Sequence, residues 1–270
     1  MARARLRRRP RGPRVSPAAS EADRAGHDAL FLGRTSDLAR TDPEFVAFFD
    51  DFAFDETLRA VTGDLSRPER SMYRLGAVIA VGAVTEFRVM LGAALDDGVT
   101  PVQVKEIVYQ ATAYVGVARV VDFLHATNEV LTDRGVALPL DGRSTTTPET
   151  RGIAGLAKQK EIVGADAVDG MYANAPADAR RFQEFLSGNC FGDYYTRDGL
   201  DVKQRELLTF SILVALGGAD GQVEGHVKAN LNVGSTRAQL LDVLTVLLPF
   251  VGYPRTLNGL AAVNEVAPPE

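Results

Sequence analysis

Part of this chain occurs twice, and no other feature limits its possible folds so tightly. Shifted along itself by 136 positions without gaps, residues 82–130 fall onto 218–266. Gly82 meets Gly218, Ala93 meets Ala229, Gly98 meets Gly234, Thr100 meets Thr236 and Gln103 meets Gln239. Further on, Gly116 meets Gly252, Arg119 meets Arg255, Leu124 meets Leu260, and Asn128-Glu129-Val130 recurs as Asn264-Glu265-Val266. One long offset points to two fused copies of a small domain rather than to a solenoid of short units. Differences between the copies then mark where chemistry was kept or lost.

The periodicity inside the repeat is helical. Thr100, Pro101 and Gln103 form a capping box with proline in the first turn, and Val104, Ile107, Val108, Ala111, Tyr114 and Val115 follow at 3.6-residue spacing. The counterpart from Thr236 keeps that phase with Leu240, Val243, Leu244 and Leu247, and adds Leu241, Val246, Leu248 and Phe250. A helix apolar nearly all round is buried on more than one side, so 237–251 is expected at a seam with the first repeat or a neighbouring subunit. No segment sustains period-2 alternation. The predicted fold is all-α, with two tandem repeats.

The expected domains are an Arg-rich disordered extension over 1–22, a first, degenerate repeat over 28–138, a linker over 139–150 and a second repeat over 151–267. The linker, "PLDGRSTTTPET", is rich in turn formers. Residues 3–14 hold seven arginines and no acid, but the whole chain has a formal charge of −5, which argues against a general nucleic-acid surface. No stretch approaches the ~18 uncharged apolar residues of a membrane span. A single cysteine, Cys190, forbids an intrachain disulfide and fits a reducing compartment. The expectation is a soluble, cytoplasmic protein with no membrane and no specific nucleic-acid partner.

From residue 155 onward the chain resembles the carboxymuconolactone decarboxylase family. The resemblance runs through "GLAKQKEIVG" (155–164), "MYANAP" (171–176), "FQEFLSGNCFGDYYTRDGLDVKQRELLTFSILVALGG" (182–218), "LNVGSTRAQLLDVL" (231–244) and "VGYPR" (251–255). The first repeat, with "EFRVMLGAALDDGVTPVQVKEIVYQ" (86–110), is similar but more degenerate. The wider superfamily includes alkylhydroperoxidase-D-like proteins, whose peroxidatic thiols sit in a Cys-x-x-Cys-x-x-x-His motif. The resemblance implies an α-helical fold and a homo-oligomer, trimers being typical of two-repeat members.

It also directs attention to particular residues. His226 stands at the family's characteristic histidine position, and its counterpart in the first repeat is Met90. Imidazole can move a proton in either direction near neutral pH. His27 and His125 lack such support and are expected at the surface. Glu206 lies where the alkylhydroperoxidase-D-like proteins place a glutamate in a proton relay; in the ungapped register Arg70 stands opposite it. If Gly217-Gly218 makes a simple antiparallel turn, Glu206 and His226 sit roughly 9 Å apart along the helix axes, which leaves their contact open. Cys190 could serve as a thiol or line a pocket, but the positions four and seven before His226 are Gln222 and Ala219, so the redox pair is missing. Arg255 and Arg205 could hold a carboxylate bidentately, although Arg255 has a twin in Arg119 and could equally be structural. Tyr253, Tyr194 and Tyr195 could line the pocket mouth.

No metal-ligand cluster or nucleotide motif is present in the sequence, and neither metal nor cofactor is expected. The leading expectation is an acid/base enzyme, decarboxylase-like, acting on a small carboxylated or lactone-type substrate. Isomerisation or cyclisation would use the same apparatus. A thiol peroxidase and a catalytically silent scaffold are the alternatives.

Overall fold

The computed structural model describes residues 38–269. The arginine run of 3–14, the expected extension 1–22 and His27 lie outside these residues. Among the described residues all regular structure is helical, as expected, and no helix is long and apolar enough to cross a membrane. The chain divides into two compact units, 1–55 and 56–270. In the first, helices Leu38–Thr41 and Pro43–Asp51 lead into a π-helical turn, Phe52–Glu56, which continues into the second unit. Phe49 stacks on Phe45 at 6.4 Å between centroids and meets Phe54 edge-on at 5.5 Å.

The second unit contains both copies of the repeated segment. The first contributes α1 (Arg67–Val81), α2 (Val84–Asp96), α3 (Pro101–Val115) and α4 (Val117–Asp133). Then come α5 (Arg151–Val163), α6 (Ala165–Asn174), α7 (Arg180–Phe185) and a π-helix over Leu186–Tyr195. The second copy contributes α8 (Val202–Leu216), α9 (Asp220–Asn232), α10 (Arg237–Val251) and α11 (Tyr253–Val266). Helices α2 and α9 begin and end 136 residues apart, as do α3 and α10. Thr100 and Thr236 both close capping boxes with the glutamine three residues on.

The first helices of the two copies break that offset. Their capping boxes, Ser66 with Glu69 and Asp201 with Gln204, are 135 residues apart. The additional residue lies in the turn after α8, where Gly217 and Gly218 both adopt positive φ while the first copy uses Gly82 alone. The residue equivalent to Glu206 is therefore Ser71, and Arg70 corresponds to Arg205. The ungapped register placed Arg70 opposite Glu206 because it could not see this insertion.

The copies share one core instead of flanking a linker as separate bodies. Ser211 Oγ in α8 donates to the Tyr73 carbonyl in α1 at 2.6 Å. At Gly76 an added Cβ would stand 2.5 Å from Leu208 Cδ1, so the glycine lets α1 and α8 approach closely. The buried Arg74 donates from Nε to the Val246 carbonyl in α10 at 3.5 Å. The Asp242 carboxylate, also in α10, accepts the amides of Thr62 and Gly63. The seam expected of the apolar 237–251 helix is thus with the first copy. The segment 139–150 carries no helix, but it does not divide the chain into two units.

The π-helix is held tightly against α5. A Cβ on Gly155 would lie 1.9 Å from the Ser187 carbonyl oxygen, and one on Gly192 would lie 2.2 Å from that of Arg151. A glycine on each side lets backbone approach backbone this closely. Wound with i to i+5 hydrogen bonds, the segment turns Cys190 and Tyr195 toward one place.

Candidate active site

Helix α8 carries Glu206 into the core and α9 brings His226 beside it. Nδ1 of His226 lies 2.8 Å from Oε2 of Glu206, with the glutamate side chain fully buried and the histidine 19% exposed. Asn230, one turn beyond His226, donates to the Glu206 carbonyl at 3.1 Å and to the His226 carbonyl at 2.8 Å. That amide sets α9 against α8 with its 226–230 turn level with Glu206. The remaining offset is about one turn, ~5.4 Å, which the two side chains span. The axial count had considered backbones alone, so contact follows where it left the matter open.

The other carboxylate oxygen, Oε1, is buried and has no hydrogen-bond partner. Leaving a buried acceptor unmatched costs about 1–3 kcal/mol. The dyad is therefore built at some cost to stability, as functional groups commonly are.

Tyr114, from α3 of the first copy, meets the His226 ring edge-on with centroids 6.1 Å apart. Its hydroxyl lies 2.9 Å from that of Tyr195 and 3.0 Å from Thr209 Oγ1, while Tyr195 and Thr209 are 2.6 Å apart. Cys190 Sγ reaches the Tyr114 hydroxyl at 3.8 Å. Gln110 donates to Thr209 Oγ1 at 2.9 Å and anchors the network on α3. Ile162, Phe191 and Ala229 pack around Cys190 and Tyr195, so one wall is apolar. Burial pushes the Tyr114 and Tyr195 phenols well above their ordinary range, so both remain hydroxyls. Burial also pushes the Cys190 thiol up to about 12, which keeps it from being a nucleophile at neutral pH.

The equivalent place in the first copy keeps none of the residues that build the relay. Ser71 stands for Glu206, Arg74 for Thr209, Met90 for His226, Val246 for Gln110 and Phe250 for Tyr114. The correspondence holds in space, because Arg74 reaches the Val246 carbonyl and lies 5.9 Å over the Phe250 ring. Met90 is buried. The site is also composite, since Tyr114 and Gln110 belong to the degenerate copy. Sequence reasoning missed Tyr114, Gln110 and Thr209. Pairing Tyr114 with Phe250 and Gln110 with Val246 was the available signal.

Three residues expected to bind substrate lie elsewhere. Arg205 is buried and engaged at both terminal nitrogens, with Nη2 on Glu106 Oε2 at 3.0 Å and on the Arg197 carbonyl at 2.8 Å, and Nη1 on Gln110 Oε1 at 2.9 Å. Adjacent residues on a helix point in different directions, so Glu206 faces the site and Arg205 the core. Arg255 packs over Gly217, an added Cβ there standing 3.2 Å from its Nε. Gly217 is eleven residues past Glu206 in the chain, about 16 Å along α8. Arg119 likewise donates to the Ala80 carbonyl at the end of α1. Both arginines thus sit at helix C-termini, where a cation complements the dipole. Tyr253 is 59% exposed beside Arg255. Tyr194 is half-buried, and His125 is exposed as expected.

A family model described as the carboxymuconolactone decarboxylase family matches residues 43–129 and again 180–265. Among curated proteins, the 4-carboxymuconolactone decarboxylase of Acinetobacter baylyi is 29% identical over 118 residues, 44% of this chain and 87% of that protein. The nitrosuccinic acid decarboxylase of Metarhizium robertsii is 26% identical over 111 residues, 41% of this chain and 77% of its own. A gamma-carboxymuconolactone decarboxylase subunit solved from Burkholderia xenovorans LB400 shares the fold, with a TM-score of 0.53 at 19% identity over 91% of this chain and 96% of that one. The two family matches end 136 residues apart, the offset at which the chain repeats itself. With the family pattern present in both copies and the fold shared nearly end to end, the chain belongs to the carboxymuconolactone decarboxylase family.

Proposed function

We propose that the protein is a decarboxylase-like acid/base enzyme for a small carboxylated or lactone-type substrate, with His226 as the proton donor and Glu206 as the group that orients it. The observation that carries this reading is the 2.8 Å contact between Nδ1 and Oε2. An ionised carboxylate only accepts, so Nδ1 keeps its hydrogen and Nε2 becomes the working nitrogen. The substrate's carboxylate leaves as CO2, and its bonding electrons pass to an adjacent carbonyl or extended enol. Protonated Nε2 returns one proton to the carbon, leaving neutral imidazole with Nδ1–H still on Glu206, and water reprotonates Nε2. Tyr114 presses the ring into place, and the wall around Cys190 and Phe191 restricts water. The cycle uses no cofactor and no thiol. Two relatives named as decarboxylases of small carboxylated compounds support the reaction class.

The thiol peroxidase reading gains nothing from the site, because the single cysteine is buried with its pKa raised to about 12. The proposal includes a cytoplasmic homo-oligomer with a trimer favoured. Exposed apolar residues support the oligomer: Val117 and Val121 in α4 recur as Tyr253 and Leu257 in α11, all four exposed.

The test is CO2 release by the full chain from a panel that includes 4-carboxymuconolactone and nitrosuccinate. His226→Gln is expected to lower turnover by about 10²–10⁴-fold, the loss typical of a general acid, with the fold intact by circular dichroism. Undiminished turnover in that variant refutes the assignment.

A further inference from the structure

A cavity of about 340 Å³ lies away from the dyad, between α3, α4, the segment 138–143 and Arg197. None of the residues that contact His226 lines it, and the buried pair of Arg205 and Gln110 stands between the two places. Its volume is in the range of small-molecule sites, and its walls divide sharply in chemistry.

The charged wall holds Lys105, Arg143 and Arg197 against Glu106 and Asp141. Arg197 is already engaged, binding both Glu106 oxygens through Nε at 3.1 and 3.0 Å and Oε1 again through Nη2 at 2.9 Å. Its guanidinium also lies 5.2 Å over the Tyr109 ring. Glu106 is shared with Arg205, so it has no charge to spare. Lys105 donates to Asn128 Oδ1 and has two further N–H groups. The Nε of Arg143 is buried and has no hydrogen-bond partner. Arg143 lines the cavity and makes no ion pair with a described residue, so its charge is open to an arriving anion. Asp141 is exposed at the rim and makes no ion pair with a described residue. Burial lowers the Lys105 pKa, as befits an ammonium partly stripped of water without an anion. Val102, Leu138 and Leu140 supply the apolar wall.

We propose that this cavity is a second binding site, for a small organic acid whose carboxylate is held by Lys105 and Arg143 and whose short apolar body rests on Val102, Leu138 and Leu140. Two unneutralised cations select the charged head. The apolar wall gives a bare inorganic anion nothing to rest on, and the volume leaves room for a body of ring size.

Benzoate is the probe, titrated calorimetrically into the full chain, with benzamide as its neutral isostere and inorganic phosphate as a head without a body. Saturable binding of one benzoate per chain is expected, with benzamide weaker by about tenfold or more, since one charge-assisted contact is worth about that ratio. Lys105→Gln and Arg143→Gln are each expected to weaken benzoate by about tenfold, Lys105→Arg to retain most of the affinity, and His226→Gln to leave it unchanged. The comparison of benzoate with benzamide on the unaltered protein needs no variant to fold. The proposal is overturned if no saturable binding occurs, if benzamide or phosphate binds as well as benzoate, or if both cation variants bind normally. It is also overturned if only His226→Gln loses binding, because benzoate then occupies the dyad. Failure of the acid/base reading leaves these results untouched.

Discussion

Glu206→Gln tests the dyad by changing little more than one atom. In the protein as it stands, Nδ1 of His226 lies 2.8 Å from Oε2, which on the proposed reading accepts its hydrogen, while Oε1 is buried without a partner. The amide has two ways to sit. With its oxygen toward Nδ1, its NH2 takes the place of Oε1, a buried donor with no acceptor, at a cost of about 1–3 kcal/mol. With its NH2 toward Nδ1, that nitrogen must accept, so the ring hydrogen moves to Nε2 and the working nitrogen is blocked in the neutral ring. Either way a charge-assisted bond worth about 1.5–3 kcal/mol becomes a neutral one worth about 0.5–1.5. The expected stability loss is about 1–3 kcal/mol, or several degrees of melting temperature for a unit of this size. Turnover should fall about 10²-fold or more, since the acid is no longer oriented. Nitrogen-15 spectra of the imidazoles report the tautomer without any substrate, and with three histidines in the chain assignment is simple. Unchanged ring spectra together with unchanged turnover would refute the orienting role.

Other measurements bear on the remaining parts of the structure. With the Cys190 thiol at about 12, only about one molecule in ten thousand carries thiolate at pH 8, so the folded protein should react with iodoacetamide very slowly until urea exposes the residue; ready alkylation below pH 9 would contradict the burial. Gly155→Ala puts a Cβ within 1.9 Å of the Ser187 carbonyl, and because both sides are backbone the π-helix must shift, with an expected loss of about 1–3 kcal/mol and reduced turnover as Cys190 and Tyr195 move. Multi-angle light scattering should give a mass above that of one chain; a monomer at micromolar concentration would leave the exposed Val117, Val121, Tyr253 and Leu257 unexplained.

What could be read from the sequence was whatever is periodic or repeated. Helix positions, the capping boxes at Thr100 and Thr236 and the pairing of copies all follow from local residue choice and recurrence, and each holds within the described residues. The contact of His226 with Glu206 was legible only as a family expectation, because axial arithmetic omits the reach of side chains and the register that Asn230 imposes. Arg205 and Arg255 point away from the dyad for a common reason. Sequence shows that guanidinium groups exist, but not that Glu106 and a helix end have already claimed them. The π-helix could not be read at all: its extra residue per turn is stabilised by the fit of Gly155 and Gly192, a tertiary effect with no local signature.

The two copies have specialised in opposite directions around related seams. In one, α3 of the first copy lies on α8 of the second and presents Gln110 and Tyr114 to Thr209, Glu206 and His226. In the other, α10 lies on α1 and presents Val246 and Phe250 to Arg74, with Met90 where the histidine would be. A polar relay is worth keeping only if all its members are satisfied, because a half-satisfied buried network is costlier than an apolar one. With Met90 in place of an imidazole, a glutamate and a tyrosine in that seam would be buried without their histidine; Val246 and Phe250 stand there instead, and Arg74 rests on the Val246 carbonyl and the Phe250 ring. The first copy could not be discarded, however, because its own α3 furnishes half of the surviving relay. Degeneracy of the first repeat in sequence therefore does not mean that it is idle: its α3 forms one wall of the cluster around Glu206 and His226.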